Sequence, residues 1–102
     1  MIEVTQTSHD DPMAFEVVVR DGDGESRHQV TLSQRDFRRL SGEACPPPAC
    51  IEAAFRFLLD REPKEAIMQR FDIREIARHF PEVARELPGY ITDTNEAAAR
   101  RA

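Results

Sequence analysis

Over the first 32 residues, apolar and polar positions alternate with period two. Ile2 and Val4 alternate with Glu3 and Thr5. Phe15, Val17 and Val19 alternate with Glu16, Val18 and Arg20, and His28, Val30 and Leu32 alternate with Gln29 and Thr31. This alternation predicts strands with one buried face. Ser8-His9-Asp10-Asp11-Pro12 and Asp21-Gly22-Asp23-Gly24 interrupt it with turn residues, and the second run offers the positive-φ positions of a hairpin loop. The expectation is an antiparallel hairpin, extended by the first strand to a three-stranded meander.

The period changes at Leu32. Ser33 is a good N-cap, Asp36 follows three residues later, and Leu32 and Phe37 occupy the staple positions. The predicted helix runs through Leu40, with Gly42 as its C′ residue. Glu43-Ala44-Cys45-Pro46-Pro47-Pro48 reads as a rigid connector that places proline near the first turn of the next helix. That helix, Cys50 to Glu62, is the segment the rest must wrap. Glu52, Arg56 and Asp60 share one stripe, four residues apart, with alternating signs. Ile51, Ala53, Ala54, Phe55, Phe57, Leu58 and Leu59 cover the remaining circumference, and a helix apolar nearly all round is a buried one.

Pro63 ends this helix, and Lys64 to Arg70 forms a short turn with Ile67 and Met68 as its apolar contribution. Asp72 and Glu75 supply a capping box, and Phe71 and Ile76 a staple, for a further helix that Pro81 ends after Phe80. A last helix carries Val83 and Leu87 and stops at Pro88-Gly89, after which Tyr90 and Ile91 pack back on the domain. The expected fold is therefore α+β: a hairpin or three-stranded meander on a C-terminal bundle of four to five short helices. One domain spans residues 1–91, and 92–102 is expected to be a disordered tail.

The chain has 102 residues, 40% hydrophobic and 32% charged, which suits one globular domain with its own core. No apolar run approaches the ~20 residues that span a bilayer, and Met1-Ile-Glu-Val-Thr5 has no signal-peptide character. A cytoplasmic location without membrane attachment is expected. The formal net charge of -5 disfavours nucleic acid as a partner, because phosphate binding is driven by clustered cations.

The candidate chemistry is sparse. Cys45 and Cys50 are separated by four residues, without the second pair that a structural zinc site uses; free thiols are expected. Glu75 and His79 lie one helical turn apart but lack the second histidine of an H-E-x-x-H metal motif. Asp21, Asp23 and Glu25 resemble the start of a calcium loop, but Ser26 and Leu32 stand where that loop needs glycine and glutamate. No residue set supports catalysis, a metal or a cofactor. Arg70, Arg74, Arg78 and Arg85 are the candidate partner-binding residues, since clustered guanidiniums take carboxylates or phosphates. Asp72, Glu75, Glu82 and Glu86 interleave with them, as on an ordinary solvated face.

Val30-Thr-Leu-Ser33, Phe55-Arg-Phe-Leu-Leu-Asp-Arg-Glu-Pro63, Arg70-Phe-Asp-Ile73 and His79-Phe-Pro-Glu82 resemble a family of small bacterial proteins with no assigned function. The resemblance spans roughly half of the chain, from Val30 to about Glu82. It implies a stand-alone cytoplasmic domain and brings no activity and no site residues.

Two functional classes follow. The first is a non-enzymatic domain that binds a protein partner, with homodimerisation through a sheet edge or an apolar helix face open to it. The alternative is a ribbon-helix-helix-like nucleic-acid-binding regulator, suggested by strand His28–Leu32 followed by two helices. Against the latter, the strand directs Gln29 and Thr31 outward where basic readers would be needed. Burial of the organising helix has a direct test by chemical denaturation. Phe55→Ala or Leu58→Ala is expected to cost about 2–5 kcal/mol and Glu52→Ala well under ~1 kcal/mol; equal costs at Phe55 and Glu52 would refute the assignment.

Overall fold

A computed structural model describes residues 1–42 and 44–101 of the chain. The order is β1 (Ile2–Ser8), β2 (Met13–Asp21), β3 (Gly24–Leu32), α1 (Gln34–Ser41), α2 (Pro47–Leu59), a single 3-10 turn (Lys64–Ala66), β4 (Arg70–Asp72), α3 (Arg74–His79) and α4 (Val83–Arg101). The class is α+β, as the alternation and the later helical periodicity predict.

β1, β2 and β3 form the expected antiparallel meander. The sheet nevertheless has four strands in the order β1-β2-β3-β4, and β4 runs parallel to β3. β4 replaces part of the turn expected over Lys64 to Arg70 and the helix start expected at Asp72. The register sets Ile2 beside Val19, Val4 beside Val17, Phe15 beside Val30 and Val30 beside Phe71. One sheet face is thereby apolar, and α2 fills it, with Ile51, Phe55 and Phe57 fully enclosed. Burying such a side chain is worth about 1.5–3 kcal/mol, against ~0.2–1 kcal/mol for an exposed ion pair. The core therefore carries the fold. The opposite face is polar and tied together by ion pairs. Arg20 contacts Glu3 and Glu25, and Arg27 reaches Glu25 at 3.1 Å and Glu16 at 3.5 Å.

Local signals place the helices. Ser33 Oγ accepts from the Asp36 N–H at 3.0 Å, and Gly42 takes the left-handed conformation (φ 57°) while its N–H bonds to the Arg38 carbonyl. α2 begins at Pro47 and ends at Leu59, so it starts and stops three residues earlier than the Cys50–Glu62 expectation. Proline at its first positions is pre-set for a helix. Glu52 and Arg56 pair at 2.9 Å, but Asp60 lies past the helix and accepts from the Tyr90 hydroxyl. The connector before α2 includes Glu43, which lies outside the described residues.

The C-terminal expectation is corrected most. α4 does not stop at Pro88-Gly89; it runs to Arg101, so among the described residues the bundle has four helices, within the expected four to five, but they are not all short. Residues 92–101, expected as a disordered tail, are helical, and Ala102 lies outside the described residues. The cause is packing. Val83, Leu87, Ile91 and Thr94 are buried at helical spacing, while α4 lies against α2 and α1. That apolar stripe outweighs the single backbone donor that Pro88 lacks. Thr94 donates to the Tyr90 carbonyl, and Asn95 Nδ2 donates to the Ala44 carbonyl at 3.3 Å.

Arg61 joins the end of α2 to α4. Its guanidinium lies 3.7 Å above the Phe57 ring and donates to Glu86 at 2.8 Å, to Glu82 at 3.2 Å and to the Phe57 carbonyl at 3.1 Å. A planar fork stacked on a ring does work that an ammonium cannot. Arg61→Ala is expected to lower the melting temperature by several degrees, and Arg61→Lys to recover less than half of the loss, by calorimetry. Full recovery by lysine would reduce Arg61 to a point charge.

Candidate functional site

The chain between α2 and α4 folds back over one end of the helix layer and leaves a cavity of about 460 Å³. β4 positions its inner wall. The Gln29 N–H bonds to the Gln69 carbonyl at 2.7 Å and the Ile73 N–H to the Thr31 carbonyl at 3.0 Å. Thr31 Oγ1 donates to Asp72 Oδ2 at 2.7 Å. His28, only 1% exposed, adds a bond from inside the core: its Nδ1 lies 2.7 Å from the Met68 carbonyl oxygen. A carbonyl only accepts, so Nδ1 carries the proton, and in the neutral ring Nε2 accepts from the Ser26 hydroxyl at 2.8 Å. The ring also packs against Phe55, with centroids 5.3 Å apart.

The floor of the cavity is apolar. Leu58 comes from α2, Ile67 from the 3-10 exit, Phe71 from β4 and Ile76 and Phe80 from α3 and its end. Met68 lies at its mouth with 42% of its surface exposed; the turn expectation counted it as apolar filling. The rim is polar: Glu62, Glu75 and His79. Glu75 lies 3.6 Å from Arg78, and Glu62, half-buried, has no ion pair among the described residues. The Glu75 and His79 pair singled out by its spacing thus borders this cavity. No hydrogen bond orients the His79 imidazole among the described residues, so the pair lacks the third group that a general-base arrangement uses.

The four arginines do not gather. Arg70 lies on β4 beside a shallow groove formed with Arg27, Gln29 and Gln69. Arg74 pairs with Asp72 at 3.0 Å and approaches Asp36 at 3.9 Å. Arg78 pairs with Glu75, and Arg85 lies 3.8 Å from Glu86. Each of these three has its own acidic neighbour. Arg74 borders a second, narrow cleft with Leu40 and Leu87, which meets the cavity floor at Ile76.

Cys45 and Cys50 are buried free thiols. Burial, with a smaller contribution from neighbouring Cys45, pushes Cys50 up to about 12, and burial also raises Cys45. Both stay protonated at neutral pH and are poor nucleophiles and ligands. Among the described residues, no three His, Cys, Asp or Glu side chains are grouped to hold a metal ion. The acidic hairpin serves the turn: Asp21 accepts from the Asp23 N–H at 2.8 Å and from buried Lys64 at 2.9 Å. Glu25 pairs with Arg20 and Arg27.

The chain matches no family model, no curated protein and no solved structure. Among the described residues no helix is long and apolar enough to cross a membrane.

The sequence singles out Glu75 and His79, but the floor escapes it. Ile67, Phe71, Ile76 and Phe80 come from different elements and look like core residues one by one. The run Ile67-Met68 before Arg70 was the available signal. One pH prediction tests the wall. Burial pushes Asp72 up, but bonds from Thr31, the Arg74 N–H and the Arg74 guanidinium more than offset it and hold the carboxyl below its ordinary 3.8. A depressed carboxyl stabilises the fold above its unfolded value, and that contribution is lost as pH falls through the folded one. Asp72→Asn should therefore lose less stability than the wild type between about pH 5 and pH 2, measured by urea unfolding; parallel pH profiles would contradict the role given to Asp72.

Proposed function

We propose that this protein is a non-enzymatic, cytoplasmic interaction domain that takes an apolar side chain of a protein partner into the cavity beside α3. The observation that carries this is the cavity itself, about 460 Å³ with an apolar floor and a polar rim of Glu62, Glu75 and His79. Concave, mostly apolar sites with a few polar groups at the edge are where ligands and anchor residues bind. The inner wall is fixed by the β3–β4 hydrogen bonds, so little ordering of that wall opposes binding. Glu62, without a counter-ion among the described residues, favours a partner whose apolar anchor is flanked by lysine or arginine. Arg70, which lies apart from the three arginines that have acidic neighbours, supplies a contact for an acidic group further along such a partner.

The nucleic-acid alternative gains less support. β3, the strand that would form a ribbon with a second copy, is paired on both sides within its own chain, to β2 and β4.

A photo-crosslinking amino acid at Met68, introduced in cells, tests this. One recurrent protein adduct is expected, lost on Ala66→Trp, which fills the mouth, and weakened by Glu62→Lys, with both variants melting as the wild type does. Absence of an adduct, or an adduct indifferent to both substitutions, would count against the cavity as the docking site.

A further inference from the structure

The two edges of the sheet differ. β4 is three residues long, and a short edge is a protected one. β1 spans seven residues, and no strand pairs with its outer side among the described residues. It contains no lysine or proline, and Glu3, its one charge, is held by Arg20. Apart from the irregularity between Gln6 and Ser8, such an edge lacks the usual devices against pairing.

We propose that β1 pairs antiparallel with β1 of a second copy of this chain, about a two-fold axis at Val4, joining two four-stranded sheets into one. The hydrogen-bonding phase makes the edge ready for this. The Arg20 N–H bonds to the Met1 carbonyl at 2.8 Å, so Met1 and Arg20 are a hydrogen-bonded pair. In an antiparallel ladder the bonded pairs alternate. Glu3 and Thr5 therefore point their backbone groups at β2, and Ile2, Val4 and Gln6 point theirs at the open edge. The register slips between Gln6 and Ser8, which confines regular pairing to Ile2–Gln6, and Val4 is the midpoint of that run.

The side chains agree with this register. Val4 faces Val4 of the second copy and Ile2 faces Gln6, on the apolar side of the sheet where Ile2 and Val4 already pack against the core. On the polar side Glu3 faces Thr5, so no like charges oppose each other. Centring on Glu3 would set two carboxylates face to face, which is unfavourable. Centring on Thr5 would carry the pairing through the irregularity. The surface is small for a dimer, so association is expected in the weak, concentration-dependent class, and the symmetric two-fold is the commonest closure.

Sedimentation equilibrium on the full chain over roughly two decades of concentration tests this. The wild type is expected to shift reversibly from monomer to dimer. Val4→Pro removes an N–H that points away from β2, a position where an edge strand tolerates proline; it should be monomeric with an unchanged circular dichroism spectrum. Thr5→Glu and Thr5→Lys read the register and stand even if the proline variant unfolds. Each dimer holds two Glu3–Thr5 pairs, so glutamate should weaken and lysine tighten association by about 2- to 30-fold. A wild type that stays monomeric overturns the proposal and leaves the edge to a strand of a different protein. A dimer indifferent to the Thr5 substitutions overturns it too, placing the interface elsewhere.

Discussion

The seam between β3 and the chain from Met68 to Ile73 is the constraint on which the candidate site depends. It runs through main-chain bonds at Gln29 and Ile73, through the Thr31 hydroxyl to Asp72, and through the buried His28 ring to the Met68 carbonyl. Each bond alone contributes about 0.5–1.5 kcal/mol. Together they fix a segment whose own structure is one 3-10 turn and three strand residues. Unpaired, His28 would leave a buried polar ring unsatisfied, so seam and core require each other. A core histidine in this protein is thus a fastener for the wall of a cavity.

The cavity is the consequence of fastening a short segment over a wide layer. α2 fills the inner face of the sheet with Phe55, and Phe57 turns toward Phe80 and Tyr90. α3 is six residues long and bridges from β4 toward α4 without closing over Leu58 and Phe71. What stays open is apolar inside and polar at the rim, with Met68 at the mouth. Arg61 meanwhile draws α4 against the end of α2. The polar sheet face on the other side is cross-paired by Arg20 and Arg27, and its hollow of about 500 Å³ is bordered by the polar side chains of Gln29, Thr31, Arg70 and Asp72.

The meander was legible because its alternation of period two coincides with one buried face. α1 was legible from Ser33 and Gly42, whose chemistry is local. α2 was legible as buried because its apolar residues leave only a narrow polar stripe, though its ends were displaced by the proline run. β4 was hidden: its single inward residue, Phe71, reads equally well as a helix staple. The length of α4 was hidden by Pro88-Gly89, a local stop signal, although Val83, Leu87, Ile91 and Thr94 carry the helical spacing that overrides it. The site was half legible. The polar pair Glu75 and His79 stands out by spacing, but a cavity floor is assembled by tertiary structure from residues that look like ordinary core. The arginines, grouped in sequence, are separated by the different directions in which β4, α3 and α4 present them.

The claim that the cavity is pre-formed by the seam is tested most directly by native-state hydrogen exchange at the Gln29 and Ile73 amides. If the seam is part of the cooperative fold, both exchange only through global unfolding, with the same opening free energy and denaturant dependence as the amides of β2. Exchange at either amide through a low-energy local opening, independent of denaturant, would show a wall that detaches in the native state and would contradict a pre-formed site.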